Sequence, residues 1–147
     1  MAAEGHVFGF GLEPGVEWSA YLQLLDDRRR GLNLSSDQVP ATFLVAEVGG
    51  IMVGRAQIRH ELNDFLEREG GHIGYCVLPD YRRRGYATEI LRQSLTIIRA
   101  IGVDRVLVCC DDDNAGSIAV IENCGGELAS VTGSAASEPL TRRYWID

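Results

Sequence analysis

Residues 79–91 read "PDYRRRGYATEIL", and the fold turns on what this stretch joins. Upstream, "HIGYCVL" is a short β-type run halted by Pro79, whose ring removes a backbone donor. Downstream, Ala87, Ile90, Leu91, Ser94, Ile98 and Ile101 keep the i, i+3, i+4, i+7 rhythm of an amphipathic helix until Gly102 ends it. A strand, a glycine turn and a helix in that order aim unpaired backbone N–H groups and the positive end of the helix dipole out of the turn. Arg82, Arg83 and Arg84 stand where an anion would dock there, and Gly85 and Ala87 let its oxygens approach the backbone closely. A pyrophosphate fits this geometry better than a single carboxylate. The competing reading is a solvated corner, since charge runs often carry no function.

Outside this stretch the chain is acidic, with a formal net charge of -7 at pH 7. That excludes a general role in coating nucleic acid or anionic membrane, both of which need a broad positive field. Any anion site is therefore local. The 147 residues suit one domain, 1–147, and 46% hydrophobic with 24% charged residues is the composition of a globular protein. No apolar run reaches the length of a membrane span, and "MAAEGHVFGFGLEPG" lacks the basic region and apolar run of a signal peptide, so a cytoplasmic location is expected. Cys76, Cys109, Cys110 and Cys124 lie mostly within apolar runs and are expected to be reduced, buried thiols.

Working outward, residues 14–30 place Trp18, Tyr21, Leu22 and Leu25 at helical spacing, with Pro14 near the start and Gly31 after the end. "TFLVAEV" and "IMVGRAQIRH" flank Gly49-Gly50 and predict a β-hairpin. "ELNDFLEREGG" is a short helix or an ordered connection. "RVLVCC" is a continuous apolar run, as in a strand covered on both faces, and a helix over 115–124 follows it, carrying Ile118, Ile121 and Cys124. The tail "GELASVTGSAASEPLTRRYWI" reads as two strands around a turn. The order α, β, β, β, α, β, α, β, β predicts an α/β domain with a mixed sheet.

The familiar phosphate loops do not fit, because neither a lysine-serine pair nor a three-glycine fingerprint is present. The run Arg82-Arg83-Arg84-Gly85-Tyr86-Ala87, preceded by "VLP" and followed by a long amphipathic helix, resembles the acyl-CoA signature of the GNAT superfamily of N-acetyltransferases. That pattern is Gln or Arg, two variable residues, Gly, one variable residue, then Gly or Ala, and every fixed position matches. "VLVCCDDDNAGSIAVIENCGG" is similar to the family's next strand, exit asparagine and glycine-ended helix, so the resemblance covers residues 51–126, with the tail hairpin in its expected place. "RHELNDFLEREGGHIGY" and "RRYWI" look like a bacterial subgroup of predicted acetyltransferases.

The resemblance implies a mixed, mostly antiparallel sheet flanked by helices, in which the strand before the arginines splays from the next to form an acyl-CoA cleft. Tyr75, Cys76 and Val77 would offer backbone groups to pantetheine, and amides of Arg83, Arg84, Gly85, Tyr86, Ala87 and Thr88 would cradle the pyrophosphate. The Val77 amide would also polarise the thioester carbonyl. Asn114 would bond the pantetheine, with Ser117 near it. His72 and Glu61 are candidate bases for the attacking amine; the alternatives are a His72 bonded within the sheet and a Glu61 capping the short helix. Many family members carry a tyrosine as general acid in the helix after the asparagine, and Ile121 occupies that position.

Asp111, Asp113, Gly116, Ile118 and Glu122 nearly match a calcium loop, but Ala115 takes a ligand position and a β run precedes it, so a helix cap is expected instead. Cys109-Cys110 are adjacent, and His6, His60 and His72 have no zinc-like spacing, so no metal is expected. No serine or cysteine sits between glycines as a nucleophile elbow requires. The resemblance thus implies an acetyl-CoA-dependent transfer to a primary amine by direct attack in a ternary complex. The alternatives are a non-catalytic acyl-CoA-binding sensor, or a structural domain whose arginines meet an acidic partner protein. Glu61, Asp64, Glu67 and Glu69 form an acidic rim that would favour cationic amines. Family members often dimerise, and a homodimer is left open.

Overall fold

The structure, a computed structural model, describes residues 12–133 and 139–147. The elements run α1 (Trp18–Arg29), β1 (Ala41–Val48), β2 (Ile51–Arg59), β3 (Ile73–Val77), α2 (Tyr86–Ile101), β4 (Val106–Asp111), α3 (Ala115–Asn123), β5 (Glu127–Thr132) and β6 (Thr141–Ile146). This is the order expected from periodicity. The stretch left open between β2 and β3 is a π-helical turn, Leu66–Gly70, and a 3-10 turn, Pro79–Tyr81, precedes the arginines. No helix among the described residues is long and apolar enough to cross a membrane.

The strands form two three-stranded sheets, ordered β1-β2-β3 and β4-β6-β5, and every ladder among the described residues is antiparallel. Gly49 and Gly50 close the β1-β2 hairpin with φ of 58° and 81°, the left-handed pair that a two-residue turn matched to strand twist needs. The larger of two hydrophobic clusters spans both sheets. Ile58 and Ile73 from the first meet Val106, Val108, Tyr144 and Ile146 from the second, under Leu91, Leu95 and Ile98 of α2 and Ile121 of α3.

Between the two sheets, β3 and β4 touch at one end and part at the other. The contact is an isolated bridge between Gly71 and Val108, beside a 2.7 Å bond from the His72 N–H to the Leu107 carbonyl. Gly71 permits this approach, because a Cβ there would stand 2.7 Å from the Leu107 oxygen on a backbone with φ of 66°. The guanidinium of Arg59 fastens the same corner, donating to the carbonyls of Gly70 at 2.9 Å and Gly71 at 3.2 Å.

Two elements differ from expectation. The apolar stripe of α1 is not a buried one: Tyr21 is 3% exposed, but Trp18 is 63% and Leu22 48% exposed. The helix lies against β1 while leaving much of its apolar face to solvent. In α2, Leu95 joins the core and Ile101 faces solvent, since the helix turns Ile101 past the sheet at its Gly102 cap.

Candidate active site

The opening between β3 and β4 leads into a cleft of about 780 Å³, lined by Tyr75, Cys76 and Val77 of β3, by the turn that carries the arginines, and by the first turns of α2 and α3. Its backbone chemistry follows from strand register. Leu78 N–H donates to the Val53 carbonyl, which makes the Gly54–Val77 pair the kind whose own N–H and C=O groups point away from the partner strand. By the same alternation Tyr75 presents its N–H and C=O toward the β4 side, while Cys76 exchanges both bonds with Arg55. Two residues thus offer the cleft a free strand edge. Cys76, expected to share this role, lines the cleft but has its backbone committed to β2.

At the mouth, the chain turns through Arg83 with φ of 64° and Gly85 with φ of 83°. Left-handed residues so placed gather successive N–H groups into a concave anion nest. A Cβ added to Gly85 would meet no atom within 4 Å, so the space above its backbone is open. The first backbone bond of α2 runs from Glu89 N–H to the Gly85 carbonyl, and the N–H groups of Tyr86, Ala87 and Thr88 belong to the unpaired first turn, at the positive helix end.

The three arginines divide their work. Arg83 lines the cleft. Arg82 lines it too, but its Nε donates to the Val77 carbonyl at 3.1 Å, bracing the loop against β3. Arg84 lies outside the cleft lining, with its guanidinium 5.7 Å from the centre of the Tyr81 ring. Spacing had treated the three as equivalent, but the left-handed kink at Arg83 sends neighbouring side chains in different directions.

Asn114 caps α3 by accepting the Ser117 N–H at 3.1 Å, and both residues line the cleft. The aspartates before it do not cap the helix: Asp112 pairs with Arg142, and the Asp111 carbonyl accepts the Asn114 N–H. Among the described residues, no group of three or more His, Cys, Asp or Glu side chains could hold a metal ion. Tyr81, Gly116, Ala119 and Val120 line the cleft without having been picked out from sequence. The last three share the Ser117 side of a helix spaced 3.6 residues per turn, a signal that was readable.

A second cavity of about 230 Å³ lies in the splay, lined by Glu69, Ile73, Gly74, Cys109, Cys110, Asp111 and Thr141. It shares Tyr75, Asn114 and Ser117 with the first. Burial pushes the Cys109 and Cys110 thiols up to about 11, so they stay protonated near neutral pH. The four cysteines are free.

Neither candidate base lines either cavity. His72 is 5% exposed and its Nδ1 accepts the Leu107 N–H at 2.9 Å. The neutral ring therefore carries its proton on Nε2 and has no spare lone pair for an amine proton. Burial, and the positive charge of Arg59 beside it, push its pKa down. Glu61 is exposed just past β2 and lines neither cavity. Ile121, where the resemblance looks for a tyrosine, is 0% exposed within the core.

Known proteins match this arrangement. The family described as acetyltransferase (GNAT) domain matches residues 16–127. Among solved structures, yncA, a putative acetyltransferase from Salmonella typhimurium with its cofactor acetyl-CoA, is 16% identical, with a TM-score of 0.65 over 96% of this chain and 79% of that one. A ribosomal-protein-alanine N-acetyltransferase from Brucella melitensis is 22% identical, with a TM-score of 0.61 over 88% and 77%. Spermidine N-acetyltransferase SpeG from Vibrio cholerae, as an F149A mutant, is 15% identical, with a TM-score of 0.63 over 86% and 73%. No curated protein sequence matches. With well over half of its residues matched and the same fold in these structures, the chain belongs to the GNAT acetyltransferase family.

Proposed function

We propose that the protein is a cytoplasmic acetyl-CoA-dependent N-acetyltransferase, in which a primary amine attacks the thioester directly in a ternary complex. The observation that carries this is the continuity of an anion nest at Arg83 and Gly85 with a free strand edge at Tyr75 and Val77, along one cleft. A pyrophosphate needs the first and a pantetheine arm, with its two amides, needs the second.

In this reading the amides from Arg83 to Thr88 hold the pyrophosphate, while Tyr75 bonds the pantetheine like an added strand. The Val77 N–H, on the cleft side of β3, donates to the thioester oxygen as negative charge develops on it. The Val77 carbonyl on the same side would repel that charge, and the bond from Arg82 neutralises it. Asn114 has spent its oxygen on the α3 cap, which leaves its amide NH₂ to donate to the pantetheine. The acceptor enters from the second cavity, where Glu69 and Asp111 favour a cationic amine. Its proton leaves through water toward these carboxylates, since His72 keeps its Nδ1 for Leu107 and Glu61 stands away from the cleft. In place of a base, His72 holds β4 to β3 at the closed end of the splay.

A second reading, an acyl-CoA-binding sensor without turnover, is favoured by Ile121 in the tyrosine's position. Calorimetric titration with acetyl-CoA and CoA, followed by thiol release with pooled primary amines, separates the two. Binding with amine-dependent release supports the enzyme, and binding without release supports the sensor. Absence of binding rules out both. The sequence contains no lysine, so acetyl-lysine found in the assay comes from an added substrate.

A further inference from the structure

The first sheet has one apolar face and one charged face. Ala56, Ile58, Ile73, Tyr75 and Val77 face the clusters packed under α2. On β2, alternation turns Arg55, Gln57 and Arg59 the other way, and the register with β3 sets Cys76 and Gly74 beside them. The Arg59 guanidinium lies over Gly74, 3.6 Å from where a Cβ would stand. Tyr21 of α1 is near enough for the Arg55 charge to act on its phenol, so Arg55 lies between the helix and the sheet.

This half-buried layer gathers like charges. Burial pushes the Arg59 pKa down, and the positive charges of Arg28 and Arg55 push it further. Such a cluster is unfavourable without an anion. Among the described residues no carboxylate pairs with Arg55 or Arg59. Asp37 acts on Arg28, but it is exposed and accepts from the Ser35 hydroxyl. Arg59 donates to the carbonyls of Gly70 and Gly71 and, at 3.3 Å, to the Gln57 side-chain oxygen. That bond leaves the Gln57 amide NH₂ as a further donor on this face. Arg55 makes no hydrogen bond among the described residues, although its Nε–H is buried.

We propose that Arg55, with the Gln57 amide and the charge of Arg59, is a second oxyanion site that takes the carboxylate or phosphate group of a small molecule. A guanidinium offers such a group two parallel donors as well as charge. The site stands one strand spacing, about 5 Å, from Gly74 and Cys76, which line the smaller and the larger cavity. Resting on the acyltransfer reading above, the source of the oxyanion is the acceptor itself, held by its oxyanion at Arg55 and by its ammonium toward Glu69 and Asp111. The acceptor is then an amino acid or an aminoalkyl phosphate rather than a plain polyamine.

The Arg55 Nε–H is the reporter. In NMR spectra of arginine-labelled protein it is the signal lost in Arg55→Lys. Titrated with acetate and with inorganic phosphate at constant ionic strength, it is expected to shift downfield and saturate. Arg55→Gln should weaken the same anions at least about tenfold, followed at the Gln57 side-chain amide. No shift, or one that stays linear as at any exposed cation, overturns the site. A second titration, of CoA-saturated protein with glycine, β-alanine, γ-aminobutyrate and phosphoethanolamine, separates the sources. One of these bound at least about tenfold more tightly than acetate or phosphate supports the acceptor as the source. Affinities equal to those of the two free anions overturn that source and assign the site to a free anion. Failure of CoA to bind is a different result: it removes the acyltransfer reading and leaves the oxyanion site to stand or fall on the first titration.

Discussion

Gly85 and His72 show how single residues decide the cleft. Gly85 holds φ of 83° with open space above its backbone. A side chain there meets no steric wall, and its conformational cost is about 1 to 2 kcal/mol. Gly85→Asp should therefore still fold, with a modest loss in Tm, and should lose CoA affinity by at least about 100-fold because a carboxylate would occupy the phosphate position. Calorimetric titration beside a thermal melt checks both, and retained binding would place the pyrophosphate elsewhere. His72 acts on stability through pH. Its folded pKa is lowered from 6.5, so the unfolded chain takes up the proton first. The neutral ring's contribution is complete above pH 6.5 and is lost as pH falls through the lowered folded value. His60, also lowered by burial, adds in the same direction. Urea midpoints should fall between pH 7 and pH 5. His72→Ala should cost about 1 to 3 kcal/mol at pH 8, where it leaves the Leu107 N–H unpaired, and should flatten the pH dependence to the share of His60.

At the scale of elements, the cleft exists because β3 and β4 are pinned at one end. Gly71 is the pin: its Cβ-free backbone meets Leu107, and its φ of 66° suits glycine. Gly71→Ala should destabilise the fold by about 2 to 3 kcal/mol, combining left-handed strain with a clash against a backbone oxygen. CoA affinity should weaken as well, since the splay is set from this corner. Denaturation and titration of the variant test the two effects, and unchanged affinity would show the splay to be set elsewhere. The elements themselves were largely readable. The α2 helix announces itself by rhythm and by Gly102, and the hairpin by Gly49-Gly50 between β-rich runs. The exposure of Trp18 and Leu22 on α1 was not readable, because spacing reports that a face is apolar without reporting what covers it.

For the whole molecule, one hydrophobic cluster draws on both sheets although no ladder among the described residues joins them. Such a core couples their unfolding, so urea transitions followed by far-ultraviolet dichroism and by tryptophan fluorescence, from Trp18 and Trp145, should have one midpoint. Separate midpoints would mean that the sheets unfold independently. By itself, the sequence determined the order of the elements, the glycine turn with its arginines and the acyl-CoA resemblance, because periodicity, glycine and proline placement, and charge act within a few residues of one another. Only the tertiary structure decided which polar groups remain for chemistry. The His72 lone pair goes to Leu107, the Cys76 backbone to Arg55 and the Arg82 Nε to Val77. The physical reason is that a proton or lone pair engaged in one bond is not open to another, and its partner is chosen by which strands meet in space.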